Sequence, residues 1–414
     1  MLGLGKVGKH VLLHYTRDNY RFKITWIADS RRILTKKNNE PFDKKDVRKI
    51  VQIKEIASKT GGSPEYETRI SGSRVYEFDD FTNEMSIIRE ITRARLQESI
   101  VIDTTSSRPQ VDYEVARNLI GCLAYCTGNK APWADYQLCL RLYQKARRYK
   151  TFLGLNCTVG GWVDQMEILP ILAQALRTGR IQFLKRDNSS FNLFFAKVGS
   201  GTPPNRAMLE IEASGYLEKN DSYALPTEVK DQTLKARIAA NICGIMRGQR
   251  PSKTQETTKF ALQEEPDSVN PNDIARWHKE GRKHGKYRAL ISEIGMNGRS
   301  IQWGVSFREL PHGHSLAKDF TGKCALFVQP TRDARFSWST DEGYFNSYPR
   351  SFTCSGFGGP AKTASKLLWE VKRTISLSQF PLGRECFPLP VLCSLAVSRS
   401  DATNLQKKLA KSLG

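Results

Sequence analysis

Met1-Leu-Gly-Leu-Gly-Lys-Val-Gly8 leads into an apolar helical pattern over Val7–Tyr15, and then into Ile24-Thr-Trp-Ile-Ala-Asp29. Glycines 3, 5 and 8 have the G-x-G-x-x-G spacing of a dinucleotide-binding βαβ unit. There the first glycine permits a tight turn, the second lets backbone approach a pyrophosphate, and the third lets helix pack closely on strand. The pyrophosphate rests on the helix N-terminus, where unpaired N–H groups and the helix dipole favour an anion. The residues expected to hold it are Gly3, Gly5, Lys6, Val7 and Gly8. Asp29 follows Gly8 by 21 residues, where a carboxylate can bind ribose hydroxyls. Ser30, Arg31 and Arg32 come next and suit a 2′-phosphate instead, so NAD and NADP both stay open. The first strand is cut short: two residues precede Gly3, against about five in an ordinary strand.

Outward from this unit the rhythm of strand and helix continues. Ile24–Ala28 and Ser99–Asp103 are continuous, β-branched-rich runs, as expected of strands buried on both faces of a parallel sheet. Leu119–Tyr125 reads as a further strand, and Met85–Leu96 and Asp135–Arg148 as amphipathic helices. The alternation predicts an open α/β sheet. From Phe152 to about Tyr348 the pattern changes. Helices are expected at Trp162–Thr178 and Thr227–Met246, a polar loop at Arg247–Asn272, and strands at Ala289–Gly295, Ser300–Phe307 and Cys324–Gln329. The expected domains are 1–151 (dinucleotide-binding), 152–348 (a second, α+β domain), 349–374 (a glycine-rich turn and helix returning to the first) and 375–414 (a basic extension).

The 414 residues include 64 Lys and Arg against 42 Asp and Glu, a formal charge of +22. A hydrophobic share of 39% is enough to build cores and excludes wholesale disorder. No apolar run reaches the roughly 18–20 residues that span a bilayer, and no secretory leader is visible at the N-terminus, so a cytoplasmic or mitochondrial-matrix protein is expected. Nine cysteines form no C-x-x-C pair and most lie among apolar neighbours, as buried thiols of a reducing compartment do. His312 and His314 lie in a glycine-containing turn without a thiol or carboxylate beside them, the pattern of turn residues rather than metal ligands. Basic residues cluster at Arg31–Lys59 (ten against four acids) and Arg276–Arg288 (six against one). Solvated faces are the default reading of such runs. A surplus this large also calls for an anionic partner: a phosphate-bearing cofactor, RNA or an acidic protein.

Val101-Ile-Asp-Thr-Thr-Ser-Ser107, Cys126-Thr-Gly-Asn-Lys-Ala-Pro132 and Asn156-Cys-Thr-Val-Gly-Gly161 follow in order. Later come Asn188-Ser-Ser190, Gly215-Tyr-Leu-Glu218, Asp231-Gln-Thr-Leu-Lys235, His314-Ser-Leu-Ala317 and the glycine-rich Ser355–Thr363. With these segments the chain resembles the homoserine dehydrogenases, NAD(P)-dependent enzymes that interconvert aspartate semialdehyde and homoserine. Those enzymes carry D-x-T-S-S-like, T-x-N-K-x, E-A-T-V-G-x-G, G-Y-x-E and D-x-x-x-K segments in this sequence order, over roughly residues 1–374 here.

The fold class implied is α/β: a Rossmann-type parallel-sheet domain, its first strand truncated, with an inserted α+β catalytic and dimerisation domain. The resemblance implies Lys235 as acid/base, Asp231 orienting it, Lys130 holding substrate near the nicotinamide, and Glu218 binding the substrate ammonium. Positions i and i+4 share a helix face, which agrees with Asp231 and Lys235 acting together. Thr105, Ser106, Ser190 and Gly359 join the implied cofactor contacts. Val159 and Gly161 mark the family's monovalent-cation loop, in which Asn156 replaces the family's glutamate. The implied partners are a small amino-acid substrate and a second copy of the chain. The departures are an acidic run missing after Glu218, Trp162 and Phe357 at positions where small residues are expected, and the surplus charge. They motivate an alternative, a catalytically silent relative serving as a subunit of a basic RNA-containing assembly such as a mitochondrial ribosome.

Overall fold

The computed structural model describes residues 1–378 apart from 30, 63, 79–85, 91–95, 106–108, 160–180, 187–188, 215–223, 249, 254–269, 298–299, 312–322, 331–335, 341–342, 348–351 and 358–359. The chain divides into two compact units, one drawn from Met1–Gly161 and Gly359–Pro388, the other from Trp162–Gly358.

In the first unit, helix α1 (Lys6–Arg17) leads to strands β1 (Trp26–Ala28) and β2 (Arg32–Lys36). Helix α2 (Lys44–Thr60), strand β3 (Ser73–Glu77), strand β4 (Ile100–Asp103) and helix α3 (Pro109–Leu119) come next. Strand β5 (Ala124–Thr127), helix α4 (Tyr136–Tyr149) and strand β6 (Phe152–Gly154) follow. Strands β4, β5 and β6 pair in parallel, whereas β1, β2 and β3 pair antiparallel. Leu2 joins the two halves through parallel bridges to Ala28 on one side and Asp103 on the other. Its N–H donates to Ile102 O at 2.8 Å and its carbonyl accepts from Thr104 N at 2.9 Å. The clipped first strand is therefore present as a remnant about Leu2, which is fully buried in mid-sheet.

Two expectations change here. The apolar run Leu119–Tyr125 is not one strand: Leu119 ends α3, Gly121 turns the chain with φ +142, and the strand is Ala124–Thr127. A continuous apolar run carries no periodicity, so the glycine was its only punctuation. Phe152–Gly154, placed after the expected boundary at 151, pairs with β5 and belongs to the first sheet. Of Met85–Leu96 only 86–90 and Leu96 are described, and 86–90 is helical. Asp135–Arg148 matches α4, whose N-cap Asp135 accepts from Leu138 N at 3.0 Å. Helix α2 begins with a capping box between Asp43 and Asp46 and ends on Gly61 in the left-handed conformation.

The second unit is built on a six-stranded sheet. Strands β7 (Ile181–Arg186), β8 (Ser252–Lys253), β9 (Lys286–Asn297), β10 (Ser300–Pro311), β11 (Lys323–Pro330) and β14 (Phe352–Phe357) lie in the order β14-β11-β7-β9-β10-β8. Only the β10–β8 pair is parallel, and β12 (Phe336–Thr340) with β13 (Gly343–Ser347) forms a separate hairpin. The strands expected at Ala289–Gly295, Ser300–Phe307 and Cys324–Gln329 are all present and longer. Within the stretch expected as loop, Arg247 closes a helix, Ser252 and Lys253 pair with β10, and Pro271 opens another helix. Trp162–Thr178 lies outside the described residues, as do His312, His314 and 379–414. Helices α5 (Ser189–Gly199), α6 (Pro204–Ala213), α7 (Ala224–Arg247) and α8 (Pro271–Lys283) belong to this unit. Its core gathers Phe191, Phe194, Phe195, Ile274, Trp277 and Phe307. Within the stretch 349–374, Phe352–Phe357 is strand β14, residues 358–359 lie outside the described residues, and Pro360 opens helix α9 (Pro360–Ser378), which packs on α1, β5 and β6 of the first unit.

His278 on α8 is a buried member of the second core. Its ring stacks on Phe195 at 4.2 Å, and its Nδ1 lies 3.0 Å from Arg288 O, so we assign the proton to that nitrogen. Burial lowers its pKa from 6.5 to about 4. Above 6.5 the ring is neutral in both folded and unfolded chains. Between 6.5 and 4 the unfolded chain alone takes up the proton, so stability is lost as pH falls through that window, by about 3 kcal/mol in total. Urea unfolding followed at neutral pH and near pH 4 should show this loss, and His278→Gln should remove most of it.

Candidate functional site

The Gly3–Gly8 turn sits where the Leu2 remnant meets α1. Gly3 has φ +83, and a Cβ there would lie 2.7 Å from Thr104 C and O. At Gly8 an added Cβ would stand 2.0 Å from Gly3 O and 2.9 Å from Thr104 Oγ1. Thr104 Oγ1 itself donates to Gly3 O at 2.7 Å, clamping the turn to the end of β4. Gly5 is different: nothing lies within 4 Å of the position of its Cβ, and the residue is exposed. The three glycines thus divide as the motif requires, two for chain packing and one opening onto solvent. Gly5 is also the N-cap of α1, without a side-chain cap, and the first turn contains no acid. Lys6 is exposed at its first position, and Val7 packs on the core. Uncapped N–H groups, a helix dipole and a lysine make a place that accepts a phosphate.

Asp29 is held by contacts within the chain. Its side chain is only 4% exposed. Oδ1 accepts from Arg31 N and Arg32 N at 2.9 Å each, and Oδ2 receives Lys54 Nζ at 3.0 Å. The cause is the antiparallel turn from β1 into β2, whose N–H groups the carboxylate caps, together with a cation reaching in from α2. Arg31 points outward, while Arg32 pairs with Glu77 at 2.8 Å.

At the carboxyl ends of β4 and β5 a hydrogen-bonded network fixes the next segments. Asp103, fully buried, accepts from Thr105 Oγ1 at 2.7 Å, Thr105 N at 2.9 Å, Tyr125 Oη at 2.5 Å and Thr127 Oγ1 at 3.3 Å. Burial first, then the Asp103 carboxylate, pushes the Tyr125 hydroxyl well above its ordinary pKa, so it stays a donor. Asn129 Nδ2 donates to Thr105 Oγ1 at 2.9 Å, and Asn129 Oδ1 accepts from Ala131 N at 3.2 Å. Lys130 follows, half-buried at the N-cap of the single turn Ala131–Ala134. The Gly3–Gly8 turn, Asp29, Thr105 and Lys130 all stand at the carboxyl edge of the parallel strands, where ligands of open α/β sheets bind. Tyr125, Thr127 and Asn129 were not singled out in the sequence; polar residues at a strand's carboxyl end were the available signal.

The turn Asn156–Val159 is buried at the end of β6. Asn156 N donates to Glu370 Oε1 at 3.0 Å, an α9 carboxylate that is 1% exposed. Val159 is buried, and among the described residues no group of three or more His, Cys, Asp or Glu could hold a metal ion. Burial pushes the thiols of Cys126 and Cys157 well above their ordinary pKa, which keeps both protonated.

In the second unit, Asp231 and Lys235 lie one turn apart on α7 and form an ion pair, both half-buried. Gln232 beside them is fully buried and donates to Ser292 Oγ at 3.0 Å, fixing the helix on β9. Ser190 is 5% exposed in the first turn of α5. Ser30, Ser106, Gly161, Glu218 and Gly359 lie outside the described residues.

These elements define a class: a dinucleotide-binding-type α/β unit joined to an α+β unit with a predominantly antiparallel sheet. No family model and no curated protein sequence matches the chain. Solved structures do, and they carry the homoserine dehydrogenase fold. A hyperthermophilic archaeal homoserine dehydrogenase in complex with NADPH is 18% identical over 92% of this chain and 97% of its own, with a TM-score of 0.58. The enzyme from Thermoplasma acidophilum is 16% identical over 92% and 98%, with a TM-score of 0.57. A Candida auris protein of unknown function is 15% identical over 91% and 97%, with a TM-score of 0.59. At these identities the likeness establishes the fold.

Proposed function

We propose that the chain is an NADP(H)-dependent oxidoreductase of the homoserine dehydrogenase type, reducing aspartate semialdehyde to homoserine. The observation that carries this reading is the open Gly5 position over the uncapped N-terminus of α1. The NADPH bound by one of the similar structures favours the same cofactor. The bound nicotinamide supplies the hydride.

This chain's own residues do the rest. Gly5 N–H and Lys6 take the pyrophosphate. Asp103, Thr105 and Asn129 hold the strand ends rigid, which sets Lys130 against the substrate. Lys235, held by Asp231, gives its proton to the carbonyl oxygen as the alcohol forms, and Glu218 receives the substrate ammonium. Ser30, Ser106, Ser190 and Gly359 complete the cofactor contacts, and the chain works as a homodimer; with Asn156 in place of the family's glutamate, the loop that includes Val159 and Gly161 lacks the carboxylate that would hold a monovalent cation.

NADP is favoured over NAD because Asp29 is already neutralised by Lys54, while Arg31 is exposed beside it. A free carboxylate there would repel a 2′-phosphate; this one does not. Fluorescence titration should give tighter binding of NADPH than of NADH. Lys54→Met, which removes the cation, should weaken NADPH by about tenfold, in line with one lost charge-assisted contact, and change NADH little. Equal losses for the two coenzymes would contradict this assignment.

A further inference from the structure

Helix α4 carries Arg141, Lys145, Arg147, Arg148 and, at its C-cap, Lys150, with no acid anywhere in 136–150. The other basic segments are compensated in part: among the described residues Arg31, Lys37, Lys45, Arg48, Lys49 and Lys59 form no ion pair, but several of their neighbours do. Lys54 pairs with Asp29, Lys36 with Asp46, Arg276 with Asp273, and Lys286 and Arg288 both with Glu309. On α4 there is no acid to pair with: among the described residues Arg141, Arg147, Arg148 and Lys150 form no ion pair, and all four are exposed. The buried face of the helix, Cys139, Leu142 and Ala146, fixes it to the first unit and leaves Arg141, Arg147, Arg148 and Lys150 exposed, while half-buried Lys145 donates to Arg117 O on α3.

Two features add shape to this charge. An open groove of about 530 Å³ runs between α3 and α4, lined by Gln110, Tyr113, Arg117, Arg141 and Lys145 with Glu114 as its one acid. Arg117 pairs with that acid at 3.1 Å. At the end of α4 stands Tyr149, 51% exposed, with Lys145 Nζ 5.5 Å and Arg148 Cζ 5.8 Å from its ring centroid. An exposed aromatic ring between cations, beside a cationic groove, is the combination that binds single-stranded nucleic acid: the groove tracks phosphates and the ring stacks a base. An acidic polypeptide would meet the charge but has no use for the ring.

We infer that the α3–α4 face of the first unit is a binding surface for a single-stranded polynucleotide, with phosphates along Arg117, Arg141, Lys145 and Arg148 and a base stacked on Tyr149. The carboxyl-edge residues assigned to the cofactor are a different set, so this inference stands or falls apart from the proposed activity.

The test uses the full chain and fluorescein-labelled rU15 and dT15, with poly-glutamate as competitor. Anisotropy titrations at several salt concentrations are compared for the wild type, R141Q/K145Q/R148Q, an equal-charge control on α2 (K45Q/R48Q/K59Q), Y149A and Y149F. Removing three phosphate contacts should lower the salt slope by about two and affinity at least tenfold, whereas the control changes affinity less than about threefold. Y149A should weaken binding by about tenfold and Y149F should restore it. Ultraviolet crosslinking of rU15 to the wild-type chain should label peptides within 136–150, which keeps the test independent of how the variants fold. Either rU15 or dT15 binding in this way supports the surface, and their ratio says which sugar it prefers. Equal loss in the two triple variants, crosslinks confined to other segments, an unaffected Y149A, or displacement by poly-glutamate at equal charge concentration would each overturn it.

Discussion

On the proposed reaction, Lys235→Met should lower kcat for aspartate-semialdehyde reduction by about a thousandfold while leaving NADPH affinity within about twofold, the signature of a lost general acid. The physical ground is the ion pair with Asp231, one turn earlier on α7. It fixes one ammonium proton donor on a helix that Gln232 anchors to β9 through Ser292. Methionine keeps the length and most of the packing of the stem but has no proton to give. Asp231→Asn should cost less, about a hundredfold, because the amine survives and only its orientation and charge balance suffer. Cofactor affinity should be spared because the proposed pyrophosphate contacts, Gly5 and Lys6, belong to the other unit. Steady-state kinetics combined with direct NADPH titration measure both quantities, and a fall in NADPH affinity equal to the fall in kcat would remove Lys235 from the chemistry.

Gly8→Ala and Gly5→Ala should part company by a wide margin. At Gly8 the new Cβ meets Gly3 O at 2.0 Å, a backbone atom held in place by Thr104. The turn or the helix has to move, at a cost of about 3 kcal/mol or more, a large part of a domain's stability. The first unit of Gly8→Ala should therefore unfold at markedly lower urea concentration. Gly5→Ala meets nothing within 4 Å, so its unfolding midpoint should match wild type. Its methyl group nonetheless occupies the space a pyrophosphate would fill, and NADPH affinity should drop by about a hundredfold. Paired urea and NADPH titrations of the two variants read both effects. Equal destabilisation of the two, or unchanged NADPH binding in folded Gly5→Ala, would refute the division of roles among the three glycines.

Several parts of this structure were legible because they obey local rules. The glycine spacing announced the turn, β-branched runs announced β1 and β4, and the four-residue interval from Asp231 to Lys235 announced a shared helix face. Other parts are tertiary. Asp29 has the right place in sequence, yet its carboxylate is consumed by Lys54, 25 residues away, and by its own turn. No local pattern states that α2 will deliver a cation there. The antiparallel half of the first sheet escaped notice because Arg32–Lys36 is a short, half-charged strand inside a basic run. Glu370 is similar: its hold on Asn156 spans 214 residues of sequence. Surface charge was visible as +22 in the composition, but which cations border a groove and an exposed aromatic ring depends on the fold, and α4 brings Arg141, Lys145 and Arg148 together with Tyr149.

The central claim is that this chain transfers a hydride from NADPH to a small amino-acid aldehyde. Its most direct test is to incubate the purified full chain with NADPH and aspartate semialdehyde, following loss of the reduced nicotinamide and formation of homoserine by mass spectrometry. The account predicts stoichiometric conversion that disappears in Lys235→Met. A folded chain that forms no homoserine, and that binds neither NADPH nor NADH at millimolar concentration, would contradict it.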